Sequence, residues 1–369
     1  MVRSQMVLLA DKCCGRKGGK LSDTMYPPLF SIDFIYDAIL RTLKPPFWFA
    51  LAIGLWQQSA SPLLVYTSVA IAALLALSYF GPLFDTIQYG RARHVDFGDE
   101  VVVITGGSQG LGKVMAEIFA VRGASVAILD VVPYKAEGDV GPGPVKWYRT
   151  DVGDEAAILD AKRRIEEELG TPTILINNAG IVNGKSMLDL PSEDVERNFR
   201  VNLLSHFHTI RAFVPAMRSL PNGGTIVTIS SVLGHLGAAQ LADYTAAKAG
   251  LMAMHTSLRA ELDMSGSHAV KTVLVKPGQL ATALFNGVTT PSSFFAPVVE
   301  VIEIAKDVVH KVASGRSGVV AFPLYARYVE WMSILPYGLQ NVLRKLSAVA
   351  LEISPVQHRC AKPDGSNTS

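Results

Sequence analysis

The stretch Val101-Val102-Val103-Ile104-Thr105-Gly106-Gly107-Ser108-Gln109-Gly110-Leu111-Gly112 decides how the chain is read. A β-branched run enters a glycine-rich turn and emerges as a helical pattern from Lys113 to Arg122. That order of strand, turn and helix is what a dinucleotide pyrophosphate requires. Gly106 permits the tight turn, Gly110 lets backbone amides approach phosphate, and Gly112 lets the helix pack closely on the strand. The helix N-terminus adds favourable partial positive charge. Thr105, Ser108 and Leu111 complete the loop and are assigned to the cofactor with the three glycines.

About 20 residues past the last glycine, the second candidate strand ends at Asp130, where a carboxylate can accept hydrogen bonds from ribose hydroxyls. Its charge repels a 2′-phosphate, and neither Ser108 nor Gln109 brings a cation to offset that. NAD is therefore expected over NADP, with NADP left open because a lysine such as Lys135 lies nearby.

From this unit outward, short apolar runs alternate with helical stretches. The runs are Val101 to Thr105, Ser125 to Leu129, Val145 to Tyr148, Thr173 to Ile176, Thr225 to Ile229, Lys271 to Val275 and Gly318 to Phe322. Helical patterns include Lys113 to Arg122, Glu155 to Leu169, Ser192 to Arg218 and Tyr244 to Met264. Strands separated by helices imply right-handed crossovers. The expected α/β fold is a Rossmann-type, doubly wound, seven-stranded parallel sheet spanning residues 96–323.

Before that domain come an N-terminal region, 1–44, and an anchor, 45–84, in which 40 consecutive positions carry no charge. Leu63 to Phe80, if helical, is about 27 Å long, close to a hydrocarbon core of roughly 30 Å. Phe47 to Trp56 is too short to cross, so either a single membrane helix or a hairpin is expected. Arg41 and Lys44 before the run and Arg91 and Arg93 after it draw both flanks towards the cytosol. Residues 324–357 read as amphipathic helices that pack on the core or lie on a bilayer, and 358–369 as a disordered tail.

Of the 369 residues, 49% are hydrophobic and 18% charged, with a net charge of +2. No basic block is interleaved with aromatics, which argues against a nucleic-acid partner. Cys13, Cys14 and Cys360 sit at the chain ends without disulfide-framework or metal-ligand spacing. His206, His208 and His235 also lack a second ligand at metal spacing, so no metal is expected.

The chemical centre is Tyr244-Thr245-Ala246-Ala247-Lys248, preceded 13 residues earlier by Ser231. Spacing of i to i+4 puts Tyr244 and Lys248 on one helix face. A free phenol, with a pKa near 10, is a poor base, so the ammonium is expected to favour its phenolate. Ser231 can hold the substrate oxygen.

With the glycine loop, Asn177-Asn178-Ala179-Gly180, the Ser231, Tyr244, Lys248 set, and Pro277-Gly278 ahead of Thr282, the sequence resembles the short-chain dehydrogenase/reductase family. Its anchor and its Phe213 to Met217 segment are similar to the membrane and lipid-droplet branch that holds retinol dehydrogenases and the 17-beta-hydroxysteroid dehydrogenase type 11 group. The resemblance implies that Asn202 joins the catalytic residues by holding a water in a proton relay. It places Asp151 and Val152 at the adenine, and Asn178, Ala179 and Gly180 along the cofactor. Tyr244 and Lys248 also meet the cofactor, with Lys248 on the nicotinamide ribose, as do Pro277 and Gly278, while Leu280 and Thr282 meet the carboxamide. Of the serine pair, the family interval selects Ser231 over Ser230.

The function expected is hydride transfer between NAD(P) and a lipophilic alcohol or carbonyl, such as a retinoid, steroid or long-chain lipid. The expected setting is an endoplasmic reticulum or lipid-droplet membrane with the catalytic domain facing the cytosol, and a homodimer is open. The rival readings are an NADPH-dependent ketone reductase of lipid synthesis and a non-catalytic membrane scaffold. Variable stretches at 181–190, 235–243 and 283–296 are expected to form the substrate pocket.

Overall fold

Alternate residues of each strand face opposite sides of a pleated sheet, and here both sides are apolar, so every strand needs cover on both faces. The computed structural model describes residues 45–58, 61–73, 76, 90–136, 138, 140–282 and 298–346. Its strands are β1 (Val101–Thr105), β2 (Ser125–Asp130), β3 (Val145–Arg149), β4 (Ile174–Asn177), β5 (Thr225–Ile229), β6 (Lys271–Pro277) and β7 (Gly318–Phe322). They form one sheet in the order β3-β2-β1-β4-β5-β6-β7, parallel throughout.

The helices are α1 (Gly110–Val121), α2 (Glu155–Glu168), α3 (Ser192–Phe199), α4 (Ser205–Ser219), α5 (Ala242–Met264), α6 (Val301–Ala313), α7 (Leu324–Tyr328) and α8 (Tyr337–Leu346). On one face Val102, Ile104, Val126 and Ile128 meet Met115 and Phe119 of α1 and Val308 and Val312 of α6. On the other, Val101, Val103, Ala127 and Leu129 meet Ile158 and Ile165 of α2 and Phe213 and Met217 of α4. Odd and even strand positions thus feed separate cores, which makes the fold doubly wound.

The expected helix from Ser192 to Arg218 forms with one change: Arg200–Leu204 winds as a π-turn between α3 and α4. Such a bulge marks functional positions, and Asn202 lies inside it. The C-terminal stretch expected to be helical forms α7, a tight 3-10 turn at Val329–Ile334, and α8.

Towards the N-terminus, Pro45–Gln57 is a helix and residues 62–73 and 76 are helical. No helix among the described residues is long and apolar enough to cross a membrane. The stretch expected to span it, 63–80, lies partly outside the described residues, as do the regions 1–44, 283–296 and 358–369.

Candidate active site

Strand order reverses between β1 and β4, which opens a crevice at the carboxyl ends of the strands where ligands bind in such sheets. The glycine loop after β1 forms one wall. A Cβ on Gly106, whose φ is +64°, would lie 2.8 Å from the Ala179 backbone, and one on Gly112 only 2.2 Å from the Gly106 carbonyl oxygen. Both positions therefore require glycine. At Gly110 the nearest atom to an added Cβ is the Thr282 methyl, at 3.8 Å, so the start of α1 stands next to Thr282.

The loop is tied to its neighbours. The Thr105 hydroxyl accepts the N–H groups of Asn178 and Ala179 at 2.9 and 3.0 Å, and the Asn178 amide donates to the carbonyls of Thr105 and Gly106, both at 3.0 Å. Asp130, at the end of β2, accepts the backbone N–H of Ser108 and of Val132, each at 3.0 Å. An ionised carboxylate has about four lone-pair sites, so two remain for a ribose. Asp151 is exposed and accepts from Gly153 N–H, and Val152 is buried beside it. The Leu280 side chain packs into the core with α1 and α6, and its carbonyl accepts the Thr282 N–H at 2.8 Å. Gly278 bonds Phe322 through its N–H, continuing the end of β6 at Pro277. A cradle that a Cβ would fill, amides at a helix start and free carboxylate capacity together fit a nicotinamide dinucleotide.

Beside this crevice, α5 carries Tyr244 in its first turn and Lys248 one turn later, both buried. The Lys248 ammonium lies 5.6 Å from the Tyr244 ring centre and donates to the Ile229 carbonyl at 2.8 Å. Ser231 hydrogen-bonds Tyr244 and accepts the Leu233 N–H at 3.2 Å. Ser230 turns the other way and donates to the Lys248 carbonyl. Asn202, fully buried, accepts the Ile181 N–H and donates to the Ile181 carbonyl, both at 2.8 Å. Gly180 separates Asn202 from Lys248: a Cβ there would sit 3.2 Å from the asparagine oxygen and 3.9 Å from the lysine nitrogen.

The electrostatics differ from the expectation of a phenolate. Burial pushes the Tyr244 phenol well above its ordinary range, and the Ser231 hydrogen bond only partly offsets this. Burial also lowers Lys248 from 10.5 to about 8. Spacing along a helix says nothing of how dry the site is, and desolvation of both groups outweighs their proximity. Burial thus favours the neutral phenol at Tyr244 and weakens the hold of Lys248 on its proton.

The Lys248 shift is testable as a stability change. A lysine depressed on folding binds its proton more weakly folded than unfolded, so the ammonium destabilises the fold below pH 8 and this cost is relieved between pH 8 and 10.5. Wild type should therefore gain up to roughly 3 kcal/mol relative to Lys248→Met between pH 7 and pH 10. Urea unfolding at both pH values measures it, and parallel trends in the two proteins would contradict the burial of a charged Lys248.

Two site residues were not singled out in the sequence. Asp243 accepts the Tyr244 N–H at 2.8 Å and an amide hydrogen of Asn183 at 2.6 Å, tying the loop after Gly180 to the start of α5. An acid in a helix's first turn is an ordinary capping signal, which hid its second contact. The Tyr244 ring packs with Leu241, Val182, Leu233 and Ala238, so the surroundings of the phenol are apolar.

Residues 100–292 match the model of the short chain dehydrogenase family. The uncharacterized oxidoreductase TDA5 of Saccharomyces cerevisiae is 31% identical over 324 residues, 84% of this chain and 95% of that protein. Human epidermal retinol dehydrogenase 2 is 32% identical over 66% of this chain and 78% of its own length. Retinol dehydrogenase 10-A of Danio rerio is 33% identical over 53% of this chain and 66% of its own. Among solved structures, a short-chain type dehydrogenase/reductase from Mycobacterium marinum superposes with a TM-score of 0.52 at 26% identity, covering 61% of this chain and 95% of that one.

Proposed function

This chain belongs to the short-chain dehydrogenase family, and on that premise we propose that it moves a hydride between NAD(P) and a lipophilic alcohol or its carbonyl. It is an NAD(P)-dependent oxidoreductase of CH–OH groups. The observation that carries the lipophilic reading is the apolar wall of Leu241, Val182, Leu233 and Ala238 around the Tyr244 phenol. The likeness to retinol dehydrogenases supports it. The uncharged 40-residue run supports a membrane anchor that places the cytosol-facing domain beside a lipid phase such as endoplasmic reticulum or a lipid droplet.

A nicotinamide dinucleotide held by the Thr105 to Gly112 loop, Asp130 and Lys248 would supply or accept the hydride. Ser231 holds the substrate oxygen, and Tyr244 exchanges the proton on that oxygen. In carbonyl reduction the resting phenol donates its proton as the oxygen gains charge. In alcohol oxidation the phenol must first release that proton, and Lys248, once it has lost its own proton at alkaline pH, is the neighbouring base able to take it up. Asn202 holds the Ile181 backbone in place beside Lys248. Because the phenol is raised, the oxidation rate should climb with pH through the neutral and alkaline range while reduction does not. A pH profile of kcat in both directions checks this, and an oxidation rate independent of pH would contradict it.

Asp130 supports NAD over NADP, and its two backbone contacts make it structural as well. Asp130→Ala should shift the ratio of NADPH to NADH affinities towards NADPH by about tenfold, while also weakening NADH through the loosened loop. Cofactor titration by fluorescence measures both, and a wild-type preference for NADPH would favour the ketone-reductase reading. The test of the function itself is a panel of lipid alcohols and ketones in detergent, followed by nicotinamide absorbance. Turnover confined to small polar alcohols would contradict the lipophilic reading.

A further inference from the structure

The chain beyond β7 lies past the residues that the family model matches. One face of that segment is buried: Ala326 and Val329 pack on Val232, with Leu233, Leu236, Tyr325 and Met332 around them. Leu233 also packs into the cluster that holds Tyr244, Leu241 and Val182. A single side chain therefore joins the surroundings of the proton donor to the C-terminal segment.

A polar tie runs beside this apolar one. Lys276, near the end of β6 and only 4% exposed, donates to Glu330 Oε2 at 3.0 Å. His235 Nε2, from the loop after Ser231, stands 3.7 Å from the same oxygen and makes no hydrogen bond. A buried ammonium without its partner is costly, so Lys276 holds Glu330 firmly even though the carboxylate is half exposed. One turn before Glu330, Ala326 is fully buried, and the Tyr325 hydroxyl stands 2.6 Å from where a Gly278 Cβ would be. The segment thus packs on the turn that follows Ser231 and stands beside the Pro277-Gly278 stretch.

We propose that residues 324–334 form an outer wall of the substrate site, and that Glu330, fastened to Lys276, sets the preference for bulky apolar substrates by holding that wall against the loop from Ser231 to Leu236. Glu330 is a positioning residue; it touches neither substrate nor cofactor. This rests on the lipophilic-alcohol reading above. A bulky apolar substrate needs the wall in register along its length, whereas a small alcohol reaches only Ser231 and Tyr244.

The test uses the full chain in detergent, with farnesol as the bulky apolar probe and isopropanol as the small one. Glu330→Gln keeps side-chain shape and should raise KM for farnesol about tenfold with kcat unchanged, leaving kcat/KM for isopropanol within about twofold. Lys276→Met should reproduce the farnesol defect, and the double variant should be no worse than either single, because both cut the same contact. An unaltered farnesol KM in Glu330→Gln, additive defects in the double variant, or equal losses on both alcohols would overturn the proposal. If wild type oxidises isopropanol and not farnesol, the lipophilic reading fails and takes the wall with it. If wild type oxidises farnesol and Glu330→Gln matches it, the wall alone fails.

Discussion

Tyr244→Phe should lower kcat by roughly 10²- to 10⁴-fold, the range that a positioned proton donor contributes, while leaving cofactor affinity within a few-fold of wild type. The expectation follows from what the substitution keeps and removes. The phenyl ring still fills the space between Leu241, Val182 and Leu233, and the backbone N–H still bonds Asp243, so the start of α5 stays in place. The hydroxyl that pairs with Ser231 is gone, and no other described side chain in that apolar cluster can give a proton. Single-turnover kinetics with saturating NADH separate the two effects. A variant that turned over as fast as wild type would remove Tyr244 from the chemistry.

Gly112→Ala should abolish measurable dinucleotide binding and destabilise the fold by several kcal/mol. The added methyl would sit 2.2 Å from the Gly106 oxygen, 2.9 Å from the Gly106 carbonyl carbon and 2.6 Å from the Asn178 amide nitrogen. None of these can retreat cheaply: two belong to the turn backbone, and the amide is already bonded to the carbonyls of Thr105 and Gly106. Relief requires α1 to tilt away from β1, which spoils the cradle and opens the packing of Leu111 and Met115. Gly237→Ala is the matching control, since an added Cβ there meets nothing within 4 Å. Thermal melts with and without NADH should show a lower Tm and no cofactor-induced shift for Gly112→Ala, with near wild-type behaviour for Gly237→Ala. A preserved NADH shift in Gly112→Ala would show that the loop is not the pyrophosphate cradle.

Much of the sheet was legible because β-branched runs are a local signal. All seven strands form where the sequence places them, with ends moved by a residue or two, as at Asn177 and Pro277. Helix α6 was not singled out, although its buried Ile304, Ala305, Val308, Val309 and Val312 follow helical spacing. It follows a stretch with no clear pattern, so nothing nearby announced its start. The π-turn at Asn202 is a register change within a continuous helical pattern, and composition carries no trace of it.

The site divides along the same line. The shape of the glycine loop and the placement of Tyr244 and Lys248 one turn apart on α5 were readable because turn geometry and helical spacing are short-range. The acidity of Tyr244 was not, because it depends on how much water the folded surroundings exclude. The contact of Lys276 with Glu330 was likewise hidden, since 54 residues separate the partners and only the folded chain brings them together.

The most direct measurement offers the full-length protein NAD and farnesol carrying deuterium on its hydroxyl-bearing carbon, and follows the label by mass spectrometry. The account predicts one deuterium delivered to the nicotinamide ring of NADH and an aldehyde as co-product. An aldehyde formed while the dinucleotide stays unlabelled would contradict it.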